Sequence, residues 1–226
     1  MALKKTSSKK MYEALDRIIP CIKEGNCQCI MPILEEYGID LHTVETKGYQ
    51  ILWGITSHLD VRFPSLPFTV EMNLRITEAM RFLIEQGADV NHKTYYGDVV
   101  LHKAAMCGHA DGVQLLLDYG ADVDVIDSFN VTPLDEAMFE TSEELSYKTR
   151  YEAVAVLLKA GANPFRQYGS SHKSGFKTPA DWAASADNPT GITLTLQWQK
   201  EDAKRLREVF FNTLKEMGVD CSEYDQ

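Results

Sequence analysis

Two short signatures alternate along this chain, and they constrain its fold more than any other feature. The closing one reads Gly87-Ala88-Asp89-Val90-Asn91, then Gly120-Ala121-Asp122-Val123-Asp124, then Gly161-Ala162-Asn163-Pro164. The opening one reads Thr132-Pro133-Leu134-Asp135-Glu136-Ala137 and Thr178-Pro179-Ala180-Asp181-Trp182-Ala183. Thr132 and Thr178 suit a helix N-cap, with Pro133 and Pro179 at the first helical position, where a missing N–H costs nothing. Gly87, Gly120, Gly161 and Gly218 stand where a helix ends in a left-handed residue. Between the signatures, Val113 to Leu117 carries apolar residues at one-, three- and four-residue steps, the pattern of a buried helix. Helix starts and stops that recur in register predict stacked helix pairs. In such a solenoid each unit buries its apolar face only against its neighbours.

From Gly87 to Gly120 is 33 residues, the uninterrupted period. The interval is 49 from Gly38 to Gly87, 41 from Gly120 to Gly161 and 57 from Gly161 to Gly218, giving excesses of 16, 8 and 24. Most of each excess falls between the two helices of its repeat, at about 57–75, 140–151 and 185–202, with a few extra residues in the turn 168–177. Insertions at matching places predict long loops along one edge of the array. Weaker copies of the unit at 33–41, 48–55 and 209–220 extend the array in both directions. The expected organisation is five repeats at about 11–43, 44–92, 93–125, 126–164 and 165–220. A flexible basic tail at 1–10 and an acidic tail at 221–226 flank them.

The unit running from Tyr95 through Leu101-His102-Lys103-Ala104-Ala105, Gly108-His109 and Val113 to Asp124 strongly resembles an ankyrin repeat. The resemblance implies an all-α ankyrin-repeat solenoid of stacked helix pairs joined by short β-hairpin turns. It makes Gly108-His109 a helix-joining element and His102 the histidine that hydrogen-bonds within and between hairpins. Asn130 takes the turn position that Gly48 and Gly97 hold elsewhere, and asparagine is the non-glycine residue that tolerates such a backbone best. In this family the hairpin tips and first helices form a concave face. Carried over, the partner-facing positions are Thr46, Lys47 and Tyr49; Tyr95, Tyr96 and Asp98 with Met106 and Cys107; Ser128, Phe129 and Val131 with Phe139 and Glu140; and Phe176. The face so defined is rich in aromatics, and exposed aromatics anchor interface hot spots. The expected function is a protein–protein interaction module, an adaptor, recruiter or inhibitor. Short irregular arrays of this type resemble those that intracellular bacteria and large viruses send into host cells, which implies an effector role. Two rival readings are an enzyme with its site in the inserted loops and a structural protein that self-associates.

The net charge of -10 repels phosphate backbones, so nucleic acid is not an expected partner. No apolar run approaches the length of a membrane span, and no apolar stretch follows the N-terminal lysines as a signal peptide would require. A monomer in a cytoplasm is expected. Five cysteines in a chain of this length predict reduced thiols. Cys21, Cys27 and Cys29 near His42 lack the paired C-x2-C spacing of a zinc site, so no metal and no cofactor is expected. Cys107 and His109 invite a nucleophile-and-base reading, but nothing local supplies the electropositive setting a reactive thiol needs. The segment 169–178 echoes a phosphate-binding loop and fails on spacing, since Phe176 precedes the lysine and Pro179 follows the threonine. No catalytic residue is expected.

Overall fold

The computed structural model describes residues 5–45, 47–57, 70–138, 147–167, 178–185 and 197–224. Among these, ten helices fall as five successive pairs: α1 (Ser8–Lys23) with α2 (Ile30–Glu36), α3 (Ile51–Ser57) with α4 (Val70–Glu85), α5 (Val100–Met106) with α6 (Ala110–Asp118), α7 (Pro133–Met138) with α8 (Tyr147–Lys159), and α9 (Pro179–Ser185) with α10 (Gln197–Glu216). First helices pack on first helices (α3 on α5, α5 on α7) and second on second (α4 on α6, α6 on α8, α8 on α10), which is a solenoid of two helical layers. Its core is one continuous apolar cluster running from Met11 to Cys221.

The opening signature works as a reciprocal cap. Asp135 N–H donates to Thr132 Oγ1 at 3.2 Å, while Thr132 N–H and its hydroxyl both donate to Asp135 Oδ2 at 2.8 Å. In α5 a histidine does the same work, its Nδ1 accepting from Val99 N–H at 3.2 Å. Asp135 is fully buried. Thr132→Ala therefore removes the cap and strips a buried carboxylate of one donor, and is expected to destabilise the fold by about 2 kcal/mol in a urea titration.

The closing signature ends each second helix in the same way. Gly120 has φ +83°, Gly120 N–H donates to Leu117 O at 3.0 Å and Ala121 N–H reaches back to Leu116 O at 2.9 Å. The same pair of bonds recurs at Gly38, Gly87, Gly161 and Gly218. Asn130, at φ 63°, is the only non-glycine residue with positive φ among the described residues.

The turns between pairs are closed hairpins without regular strands. Thr94 N–H donates to Asp98 O and Asp127 N–H to Val131 O, and successive tips are stitched together by Tyr95 N–H to Lys47 O at 3.1 Å and Ser128 N–H to Tyr96 O at 2.8 Å. His102 Nε2 sits 3.1 Å from Val131 O of the next hairpin. Because its Nδ1 accepts from Val99, Nε2 carries the proton and donates to that carbonyl. One neutral imidazole thus links two repeats, as the family resemblance implied.

Several expectations need correction. The insertions are not all loop. α4, α8 and α10 have 16, 13 and 20 residues against 9 in α6, so roughly half of each excess lengthens a second helix at its N-terminal end. Trp198 belongs to α10 and not to a loop. The remaining inserted residues, including Asp187, Thr190, Thr193 and Thr195, lie outside the described residues. Residues 5–10 of the expected tail belong to the fold, because Thr6 N–H donates to Val44 O, Lys5 bridges to Val44, and α1 starts at Ser8. Near the C-terminal end Cys221 is buried and Tyr224 is docked, while Ser222 and Glu223 are exposed. Tyr224 stacks on Phe211 and Phe165 at 5.2 and 6.4 Å, and Arg207 Nη2 donates to its carbonyl at 2.8 Å. Nor are all five thiols free. Cys21 and Cys29 form a disulfide, brought to a Cα separation of 6.6 Å by the reversal at Gly25-Asn26, while Cys27, Cys107 and Cys221 lie outside any disulfide.

Candidate functional site

The first helices and hairpins line a groove of about 900 Å³ on the concave side. One wall is α1. It comes in close because residue 54 is glycine: a Cβ there would meet Leu15 Cδ1 at 2.7 Å. That approach brings Met11, Tyr12, Leu15 and Asp16 to the groove. The floor is built by α3, α5 and α7. Tyr49 and Trp53 stack there with ring centroids 5.0 Å apart, and Lys103 and Glu136 stand at equivalent positions 33 residues apart.

The electrostatics of the groove favour cations. Asp16, Glu45, Asp98 and Glu136 line it against Lys47 and Lys103, which leaves it net negative. Burial pushes the Glu136 carboxyl up to about 7, helped by Asp127 and Asp98 and opposed by Lys103. Burial likewise raises Asp98, although its Oδ2 accepts from the Thr94 hydroxyl at 3.2 Å. Tyr49 is raised to about 12 by burial and by Asp98 and Glu45, so its hydroxyl keeps its proton. Glu45 is occupied within its own hairpin, accepting from the N–H groups of Lys47 and Tyr49 and from the Ser8 hydroxyl.

Of the residues expected to face a partner, Lys47, Tyr49, Asp98 and Met106 line this groove. Tyr95, Tyr96, Ser128 and Phe129 form the exposed hairpin tips beyond it. Tyr95 is 56% and Phe129 57% exposed, large values for aromatic side chains. Tyr96 stacks on Phe129 at 6.5 Å across two hairpins, and Lys5 Nζ lies 5.6 Å from the Tyr95 ring centre. Val131 and Cys107, expected on the exposed face, are buried. Val131 turns inward to start its helix, and Cys107 packs into the core at the end of α5. Thr46, Phe139, Glu140 and Phe176 lie outside the described residues.

Sequence reasoning missed Trp53, Lys103, Glu136 and the contribution of α1. A signal for two of them existed. Lys103 and Glu136 are long polar residues one period apart, each following a capping residue, His102 or Asp135, in its first helix. Nothing in the sequence pointed to α1 as a wall, because its approach depends on Leu15 meeting a missing Cβ.

Buried His109 is structural. Thr77 Oγ1 donates to Asn73 O at 2.8 Å and lies 2.9 Å from His109 Nε2, so it accepts the imidazole proton. This leaves no nucleophile-and-base arrangement with Cys107. Among the described residues, no group of three or more His, Cys, Asp or Glu side chains is placed to hold a metal ion. No helix among them is long and apolar enough to cross a membrane.

Paired helices, reciprocal caps and stitched hairpins define a helical-repeat protein. Residues 70–168 match the family model for ankyrin repeats in three copies. Similar proteins include human ankyrin repeat and SOCS box protein 16, 27% identical over 66% of this chain and 32% of the relative. Mouse ankyrin repeat and SOCS box protein 5 is 31% identical over 46% of this chain and 33% of its own. The rat serine/threonine-protein kinase TNNI3K is 36% identical over 58% of this chain and 16% of the kinase. The matched region therefore spans a third or less of each of these relatives. Ankyrin repeats mediate protein–protein interaction, and enzymes enter the comparison only through partial alignments.

Proposed function

We propose that this chain is an adaptor, recruiter or inhibitor that holds a partner protein on its concave face, with the hairpin-tip aromatics as anchors. The observation that carries the reading is the run of exposed rings, Tyr95, Tyr96 and Phe129, beside a groove large enough for a peptide segment. Exposed aromatics are costly to leave uncovered, and a stacked solenoid presents them preorganised, so little entropy is lost on binding. The three-residue variant Tyr95→Ala/Tyr96→Ala/Phe129→Ala is expected to keep its helicity by circular dichroism. It should lose binding by about 2 kcal/mol, roughly thirtyfold, against a partner captured from parent-cell or host-cell lysate. Equal retention of the partner by a folded variant would move the interface away from the tips.

A monomeric adaptor acts by occupancy, by bridging, or by displacing a competitor. The same reading extends to a cytoplasmic location, that of a host cell if the chain is an exported effector. The thiols of Cys27, Cys107 and Cys221, outside any disulfide, support such a location, and the Cys21–Cys29 disulfide weighs against it.

A further inference from the structure

The groove has a chemical preference of its own. It combines an aromatic platform with more carboxylates than ammonium groups, Asp16, Glu45, Asp98 and Glu136 against Lys47 and Lys103. The Tyr49–Trp53 stack provides a flat π-surface at 5.0 Å centroid separation, a setting that attracts an alkyl stem and the cation at its end. Asp16, on the exposed side of α1, takes part in no ion pair among the described residues. Glu136 is largely sheltered from water on α7, and its carboxyl makes no hydrogen bond to a described residue. Asp98 stands nearby at the base of its hairpin. A carboxylate held out of water without a cationic partner is unfavourable, and an arriving cation relieves it. A phosphate or an acidic peptide would meet the opposite field.

We propose that this groove takes a lysine or arginine side chain from an apolar-flanked segment of the partner. The stem lies over the Tyr49–Trp53 stack, and the charged head lies among Asp16, Asp98 and Glu136. This rests on the concave-face reading above and adds to it the chemistry of the bound segment. Tyr12 and Met106 line the same groove with accessible surface and receive the flanking apolar residues. Arginine is the better fit, because its planar guanidinium both stacks on a ring and hydrogen-bonds two carboxylates at once. The hairpin tips fix the partner's body, and the groove selects the basic segment.

The test is selection of a random-peptide display library on the full chain, with synthetic copies of enriched peptides titrated by fluorescence anisotropy. Enriched peptides are expected to carry an arginine or lysine beside apolar residues. Their binding should weaken about tenfold in Glu136→Gln and in Tyr49→Ala, about threefold in the exposed variant Asp16→Asn, and progressively with added salt. Asp16→Asn lies on the exposed face of α1 and keeps the test open if a variant at 49 or 136 folds poorly. Enrichment of neutral or acidic peptides, or full binding by Glu136→Gln and Asp16→Asn, would overturn the assignment. If those peptides were still lost in the Tyr95/Tyr96/Phe129 variant, the concave-face reading would stand without it. Enrichment only after removal of residues 1–4 would show that the chain's own basic N-terminus fills the groove, and no enrichment in either form would show that it takes no linear segment; both results overturn the proposal.

Discussion

Gly48→Ala is expected to destabilise this protein by at least about 3 kcal/mol, whereas Gly120→Ala costs only about 1 kcal/mol. The two glycines have nearly the same backbone, φ +87° and +83°, so the left-handed strain of adding a Cβ is common to both. Their surroundings differ. A Cβ at Gly120 meets nothing within 4 Å, while a Cβ at Gly48 lies 2.9 Å from the backbone nitrogen of Tyr95 and 3.2 Å from Thr94 Cα. Backbone cannot swing aside as the end of a flexible side chain can, so the second hairpin must lift off the first. That movement breaks the Tyr95 N–H to Lys47 O bond and the contact of His92 Nε2 with Gly48 O at 2.9 Å. Urea titrations of both variants measure the difference directly. Equal losses in the two would mean that the hairpins are not stacked as closely as described. Gly120→Val, with a β-branched side chain in a left-handed backbone, should exceed Gly120→Ala.

The second large effect is in the dependence of stability on pH, where two buried groups act in opposite directions. Burial lowers His109 from 6.5 to about 4. Below pH 6.5 the unfolded chain takes up a proton that the native imidazole refuses, so this group removes stability as the pH falls towards about 4, by ~3 kcal/mol in all. His102, also lowered by burial, acts in the same sense. Glu136 is raised from 4.5 to about 7. Its contribution is fully present below pH 4.5 and is lost as the pH rises through about 7. Between pH 4.5 and 6.5 the terms offset, so the wild type is expected to change little. Glu136→Gln removes one of them. Its stability should fall steeply as the pH drops from 6.5 to 4.5 and should exceed that of the wild type by about 2 kcal/mol at about pH 8, a figure reduced for the partial exposure of the carboxyl. A Glu136→Gln profile as flat as the wild type's would sink this account. The same substitution is thus expected to stabilise the fold and weaken binding, the pattern of a side chain retained for function.

Much of the fold was legible because ankyrin repeats write their boundaries locally. A threonine before a proline caps a helix through bonds that span only three residues, as in Thr132 and Asp135. A glycine after an apolar run ends a helix through bonds that reach back five, as in Ala121 to Leu116. Such bonds are visible as spacing. The insertions were legible as lengths but not as structure. Helix propensity in 70–75, 147–151 and 197–202 is a weak signal in so short a stretch, and whether such residues extend a helix is decided by tertiary context.

The candidate site divides along the same line. The exposed tips, Tyr95, Tyr96 and Phe129, follow from their register in the repeat, because a hairpin tip points away from the core wherever the hairpin is. Val131 failed that logic by one position, since a residue at the mouth of a helix turns inward to cover it. The groove is a tertiary product. It needs α1 seated against Gly54, Trp53 turned onto Tyr49, and Glu136 brought beside Asp98 from 38 residues away. By itself the sequence determined the repeat, its caps and its exposed tips, because these rest on contacts a few residues apart. Only the tertiary structure decided the groove and its charge and the docking of Tyr224, because these arise where distant segments exclude water together.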